Sequence, residues 1–316
     1  MTAASAVVAT DHFKALLCLI LISITPACTQ RVAEPQDRTD DGIRSILEPT
    51  RGWELIGEGF QLTADSAVDS AGNVYFTDAR TNRILKIDAD AKLTVWKENS
   101  GGAHGVAMGP DGRLYAGQHN RKRIVAYSSD GRESVLAEDV QTHHLTVTER
   151  SELYFSDAPN HKVWFLDASG RRAVVTSEVD WPHGVRLSAD RSLLIVTDSQ
   201  NGNVWSFRIQ TDGSLTSGGP FCRIETRGEP SKISPGEVTF DTEGSAYVAT
   251  TLGVQVCDAK GNVAGIIRTP GNDGVSDVFF AGHNLHWLYV TDGERMFRRY
   301  VNRHGVIAGG AAPNVR

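Results

Sequence analysis

The chain has 316 residues, 40% of them hydrophobic, enough for one large domain or two of average size. Its formal net charge of −6 lacks the basic excess that nucleic-acid binding requires, so no nucleic-acid partner is expected. The 31 glycines point to a chain rich in turns.

Residues 1–28 read as an export signal. Lys14 precedes Ala15 to Ile24, an apolar run too short to span a bilayer and suited to the core of a signal peptide. Thr25-Pro26-Ala27-Cys28 follows, a small residue before a cysteine as at lipoprotein processing sites; ordinary cleavage nearby is the alternative. The expectation is an exported protein, periplasmic or secreted, touching membrane only through a lipid anchor on Cys28. Residues 29–45 are polar and linker-like. Two cysteines, Cys222 and Cys257, remain in the body, and the sequence leaves open whether they pair.

From residue 46 to 305 one strand word recurs. It reads Val74-Tyr75-Phe76-Thr77-Asp78 and Leu114-Tyr115-Ala116-Gly117-Gln118, then Leu153-Tyr154-Phe155-Ser156-Asp157 and Leu194-Ile195-Val196-Thr197-Asp198. Ala246-Tyr247-Val248-Ala249-Thr250 and Leu288-Tyr289-Val290-Thr291-Asp292 complete the set. The copies are spaced by 40, 39, 41, 52 and 42 residues. Six copies at that spacing predict an all-β, six-bladed propeller of four-stranded blades. In each copy a short apolar strand and a tight turn precede the word, and two alternating strands follow it. The long step falls on Thr211 to Pro235 and reads as an extended outer hairpin and loop. Trp53-Glu54-Leu55-Ile56 has no blade of its own and is expected to close the ring as the outer strand of the last blade.

Inner strands of a propeller begin around a central channel, so their first residues meet. Those positions are Asp65 in blade one, His104 in two, His143 and His144 in three, His183 in four, Glu237 in five and Asp277 in six. Four of the ten histidines therefore fall at strand starts. Imidazoles and carboxylates that converge form the ligand set of a divalent cation. His104, His143, His183 and Glu237 are the expected ligands, with Asp65 and Glu237 as catalytic carboxylates. The histidines favour zinc, manganese or iron. Because neighbours alternate along a strand, His143 is expected to face the channel and His144 to support it. Asp157 and Asp277 are expected to support the site or to meet substrate. A structural reading stands beside this one: a His-Gly pair can simply satisfy backbone at a strand start. The recurring Asp78, Asp157, Asp198 and Asp292 read as turn-capping groups. His119, His161, His283 and His286 are expected at the surface.

On these residues the chain resembles the gluconolactonase and regucalcin-like family of six-bladed propellers, the sugar-lactone hydrolases. The likeness is carried by Asp69 to Asp78, Gly102-Ala103-His104-Gly105, Pro182-His183-Gly184-Val185 and Leu252 to Asp258. It implies a channel cation, commonly calcium, and hydrolysis of a small, carbohydrate-derived lactone. Histidines stand here where the family has asparagines, at His104, His143 and His183. Asp65 stands near the family's early glutamate, and Glu237 is moved by one residue from its aspartate. The expected activity is metal-dependent hydrolysis of a lactone or related sugar ester. A lyase or other carbohydrate-active enzyme using the channel histidines, and a non-enzymatic binding propeller, are the alternatives.

Overall fold

The structure, a computed structural model, describes residues 41–226, 234–271 and 273–307. The expected signal segment, and the linker up to residue 40, lie outside the described residues. Six four-stranded antiparallel sheets follow one another around a ring. The inner strands are Thr63–Val68, Ala103–Met108, Leu145–Val147, Pro182–Leu187, Val238–Phe240 and Val275–Ala281. Each pairs with the repeated word that follows it.

Ring closure uses the segment that the sequence marked. Glu54–Glu58 pairs with Arg295–Tyr300 as the outer strand of blade six. Arg298 Nε donates to Glu54 Oε2 at 2.9 Å across that seam. Trp53 is fully buried, and its indole donates to the Arg268 carbonyl at 2.7 Å. The N-terminal contacts begin before the expected boundary at 46: Ile43 is buried beside Ile267 and Tyr247. The seam therefore joins the two ends of the chain, and the sheet ring has no long open edge.

The core lies between blades rather than within them. Six separate apolar clusters occupy the six blade interfaces. Tyr75, Trp96 and Tyr127 show the pattern, stacking edge to face from blade one into blade two. Trp96 is thus inter-blade packing, as its alternating strand implied. The long step carries an extended hairpin whose tip reaches blade three, where Tyr154 donates its hydroxyl to the Gly213 carbonyl at 2.8 Å. Cys222 and Cys257 are joined by a disulfide between blades four and five, with Cα atoms 6.3 Å apart. It closes a loop of 35 residues, a constraint on the unfolded chain of roughly 3–4 kcal/mol.

The repeated Thr-Asp word has two structural jobs. Thr77 Oγ1 accepts the Asp65 amide of its own blade and donates to the His104 carbonyl of the next. Ser156 repeats this with the His144 amide and the His183 carbonyl, and Thr197 with the Gly184 amide and the Gly236 carbonyl. These hydroxyls form a belt that fixes each strand start against its neighbour. The aspartates then hold loop backbone: Asp78 accepts the amides of Gln61 and Leu62, and Asp198 accepts those of Trp181 and Gln200.

Candidate metal centre

The strand registers align the six blades residue by residue. Ser66, Val106, Leu145, Val185, Val238 and Val278 all sit opposite the third residue of the repeated word. One step earlier stand Asp65, Gly105, His144, Gly184, Glu237 and Asp277. Two steps earlier stand Ala64, His104, His143, His183, Gly236 and Ser276. The centre is thus built of two stacked tiers. The inner tier carries three carboxylates, one imidazole and two glycines. The outer tier carries three imidazoles on blades two to four and only small residues on blades five, six and one.

Both members of the His143-His144 pair face the centre. The alternation argument, which placed His144 as a support, fails for a local reason. In blades one, two, four and six the inner strand carries an extra residue at this point, a β-bulge. In blade three regular pairing starts only at Leu145, and Ser156 brackets the histidines by accepting from the His143 amide and donating to the His144 carbonyl. A bulge turns two consecutive side chains to one side. His143 keeps the register of His104, as expected, while His144 occupies the level of the carboxylates.

His144 is the middle of the constellation. It is 1% exposed, with Nδ1 2.5 Å from Glu237 Oε1 and 3.5 Å from Asp65 Oδ2. Its ring lies 4.3 Å from that of His183, 5.6 Å from His104 and 6.4 Å from His143. Although the approach to Glu237 is close, its angle is not that of a hydrogen bond. Both nitrogens of His144 and Glu237 Oε1 lack hydrogen-bond partners, as do Asp277 Oδ1 and the Nδ1 atoms of His104, His143 and His183. Buried polar atoms rarely go unpartnered, and here seven gather at one point. Asp65 is different, because both of its oxygens are engaged: Oδ1 accepts the Ser66 amide and Oδ2 the Val106 amide of the next blade.

The electrostatics divide the tiers. Burial, reinforced by His144 and the other imidazoles, lowers His104 to about 3 and His143 to about 4. The same causes hold His183 well below its usual value. These rings are uncharged at neutral pH and offer lone pairs. Burial opposes charge on His144 too, but Glu237 and Asp65 outweigh it and raise the ring to about 10. Burial, then the charges of Asp65 and Glu237, push Asp277 up to about 8. Burial and Glu237 also raise Asp65, against His144 and Arg186. We place the proton of the metal-free centre on His144, between two carboxylates.

Arg186 was not singled out from the sequence. It is 7% exposed, two positions beyond Gly184, and its Nε donates to the Val238 carbonyl at 3.0 Å. Its charge lowers both Asp65 and Asp277. The signal was present: the equivalent positions are Ala67, Ala107, Thr146, Thr239 and Phe279, so an arginine there is out of pattern. His119 is exposed as expected, yet its ring stands 6.0 Å from His143 at the outer tier. Asp157 is buried and holds Asn160 and Trp164 by hydrogen bonds, beside His143. His161 and His283 are exposed, and His286 is half-buried against Tyr300.

Two groups in this centre have the spacing to hold a metal ion, each with ligand atoms within 4.8 Å of one another: His104, His143 and His144, and His144, His183 and Glu237. Converging unpartnered nitrogen and oxygen atoms fit a divalent cation, and the mixed donor set fits a first-row metal better than the oxygen-only shell that calcium prefers. The glycines make this convergence possible. A Cβ on Gly105 would stand 2.5 Å from the His143 carbonyl oxygen and 2.7 Å from the His144 Cα. Gly105→Ala is therefore expected to cost about 1–3 kcal/mol by overpacking, read as a lower midpoint in chemical denaturation.

Fold and centre together define a six-bladed propeller with a buried polar centre. The comparisons name its likeness. Residues 153–294 match the family described as SMP-30/Gluconolactonase/LRE-like region. The chain is 22% identical over 296 residues to a gluconolactonase of Zymomonas mobilis, covering 81% of this chain and 83% of that protein. Among solved structures, it superposes on a gluconolactonase from Xanthomonas campestris with a TM-score of 0.77 at 20% identity, covering 88% of this chain and 99% of that one. A calcium-binding regucalcin from Agrobacterium tumefaciens gives a TM-score of 0.70 at 14% identity, covering 82% of this chain and 96% of that one. The resemblance to gluconolactonase and regucalcin-like propellers is thus shown.

Proposed function

We propose that this protein is a metal-dependent hydrolase of a lactone or related sugar ester. The observation that carries this reading is the set of unpartnered buried atoms meeting at the channel centre. The likeness to gluconolactonases supports the substrate class. Glu237, His144 and His183 would hold the ion, which when bound polarises a carbonyl and acidifies water.

The chain's own residues supply the rest. Small residues Ala64, Gly236 and Ser276 stand over the carboxylates on blades one, five and six, so a small ring enters from that side. The histidines of blades two to four form the opposite wall. Asp65 ties blade one to blade two through the Val106 amide and orients His144. We therefore assign it a positioning part in place of the base expected from the sequence. Asp277 has an unpartnered Oδ1 and exchanges its proton near neutral pH. It is suited to take a proton from the attacking water and return one to the departing ring oxygen.

The test is metal analysis of tag-free protein, followed by lactone-hydrolysis assays before chelation, after it, and after adding ions back. Activity lost on chelation and restored by ions is expected. A protein that neither retains metal nor hydrolyses any lactone with ions supplied would refute the proposal. An unsaturated product would assign elimination instead.

A further inference from the structure

The reading above asks for one cation. The two-tier geometry goes further, because the two candidate ligand groups share His144 alone. First-row metals bind imidazole nitrogen at about 2.0–2.1 Å, so the ligand atoms of one ion lie within about 4.2 Å of one another. Within each group the atoms lie close to that limit. A second observation concerns His144 itself. Nδ1 faces Glu237 and Asp65, while Nε2 is also buried and also without a partner. The two lone-pair directions of an imidazole diverge, so a single ion cannot use both. The Nε2 side of the ring is left with His104 and His143, whose rings are 5.2 Å apart and whose Nδ1 atoms are likewise buried and unpartnered.

We propose that the channel centre is built for two cations, one on each ring nitrogen of His144. The inner position draws on Nδ1 of His144 with Glu237, His183 and the surrounding carboxylates. The outer position draws on Nε2 of His144 with His104 and His143. His144 is the common ligand. The outer set is all imidazole and suits zinc, cobalt or copper, which favour nitrogen donors. The inner set is richer in oxygen and also admits calcium or manganese. Gly105 and Gly184 keep the middle tier clear around His144. A Cβ on Gly184 would stand 3.0 Å from Glu237 Oε1.

Stoichiometry decides the matter without reference to activity. Chelated protein, shown to be folded by circular dichroism, is dialysed to equilibrium against Zn²⁺ or Ca²⁺, and bound metal is measured by mass spectrometry. Two Zn²⁺ and one Ca²⁺ per chain are expected. The His104→Ala/His143→Ala double variant should bind one Zn²⁺ fewer and keep its Ca²⁺. Glu237→Gln should lose the Ca²⁺ and keep one Zn²⁺. A wild-type protein that binds at most one Zn²⁺, or a double variant that still binds two, overturns the proposal. Should the double variant fail to fold, the wild type alone decides: a Co²⁺ titration followed by visible absorption must break at two equivalents rather than one. One ion with intact lactone hydrolysis removes the outer site and leaves the proposed function standing. No ion and no hydrolysis removes both.

Discussion

Replacing His144 with alanine is expected to abolish metal binding at the centre and to lower lactone hydrolysis at least about a hundredfold. Disturbing even an outer partner of a metal ligand costs 10- to 100-fold, and His144 touches both candidate ligand groups. The substitution also removes the cation that stands between Asp65 and Glu237 in the metal-free protein. Two buried carboxylates are then left facing each other, which costs about 3–5 kcal/mol. A His144→Asn variant separates the effects: it retains polarity and volume but cannot carry the proton. Its activity should stay low. Loss of bound metal, measured directly, and a lower melting temperature are the two readouts. A variant with normal metal content would remove His144 from the centre.

The second large effect is expected at Arg186, which no sequence motif marks. Arg186→Met keeps the length of the stem and deletes the guanidinium. Asp65 and Asp277 then lose a buried cation that lowers both. In metal-free protein the expected loss is about 3–5 kcal/mol, as for other buried charges left without a partner. Added divalent cation should recover much of that loss, because the ion supplies positive charge to the same carboxylates. Thermal unfolding of wild type and variant, each with chelator and with metal, gives the comparison. Equal destabilisation under both conditions would show that Arg186 acts through packing and its bond to the Val238 carbonyl, not through the carboxylates.

Replacing asparagine-type channel ligands by His104, His143 and His183 changes the chemistry available to the fold. Uncharged imidazoles bind softer ions than amide or carboxylate oxygens do. The same substitution places nitrogen lone pairs on one wall of the mouth and small residues on the other. Such a mouth is asymmetric, and the asymmetry sets where a substrate ring can approach.

Much of this was written in the sequence. The six repeated words set the blade number, because a period near forty residues is long enough for four short strands and their turns. Trp53 to Ile56 announced closure because an apolar strand without a blade must find an edge. The strand starts at Asp65, His104, His143, His183, Glu237 and Asp277 could be picked out by counting back from the word, since topology brings such positions together whatever their separation along the chain. Three things needed the tertiary structure. The bulge at the strand starts overrides two-residue alternation, so His144 stands at the centre where a regular strand would turn it away. Arg186 is visible as a buried charge only once the inner strands are laid side by side, because its importance lies in the carboxylates it faces across the channel. The pairing of Cys222 with Cys257 depends on two blades packing face to face, which no spacing along the chain records. Local pattern thus determined the elements and their number, while the side-chain directions at the convergence point were decided by backbone irregularity and by contacts between blades.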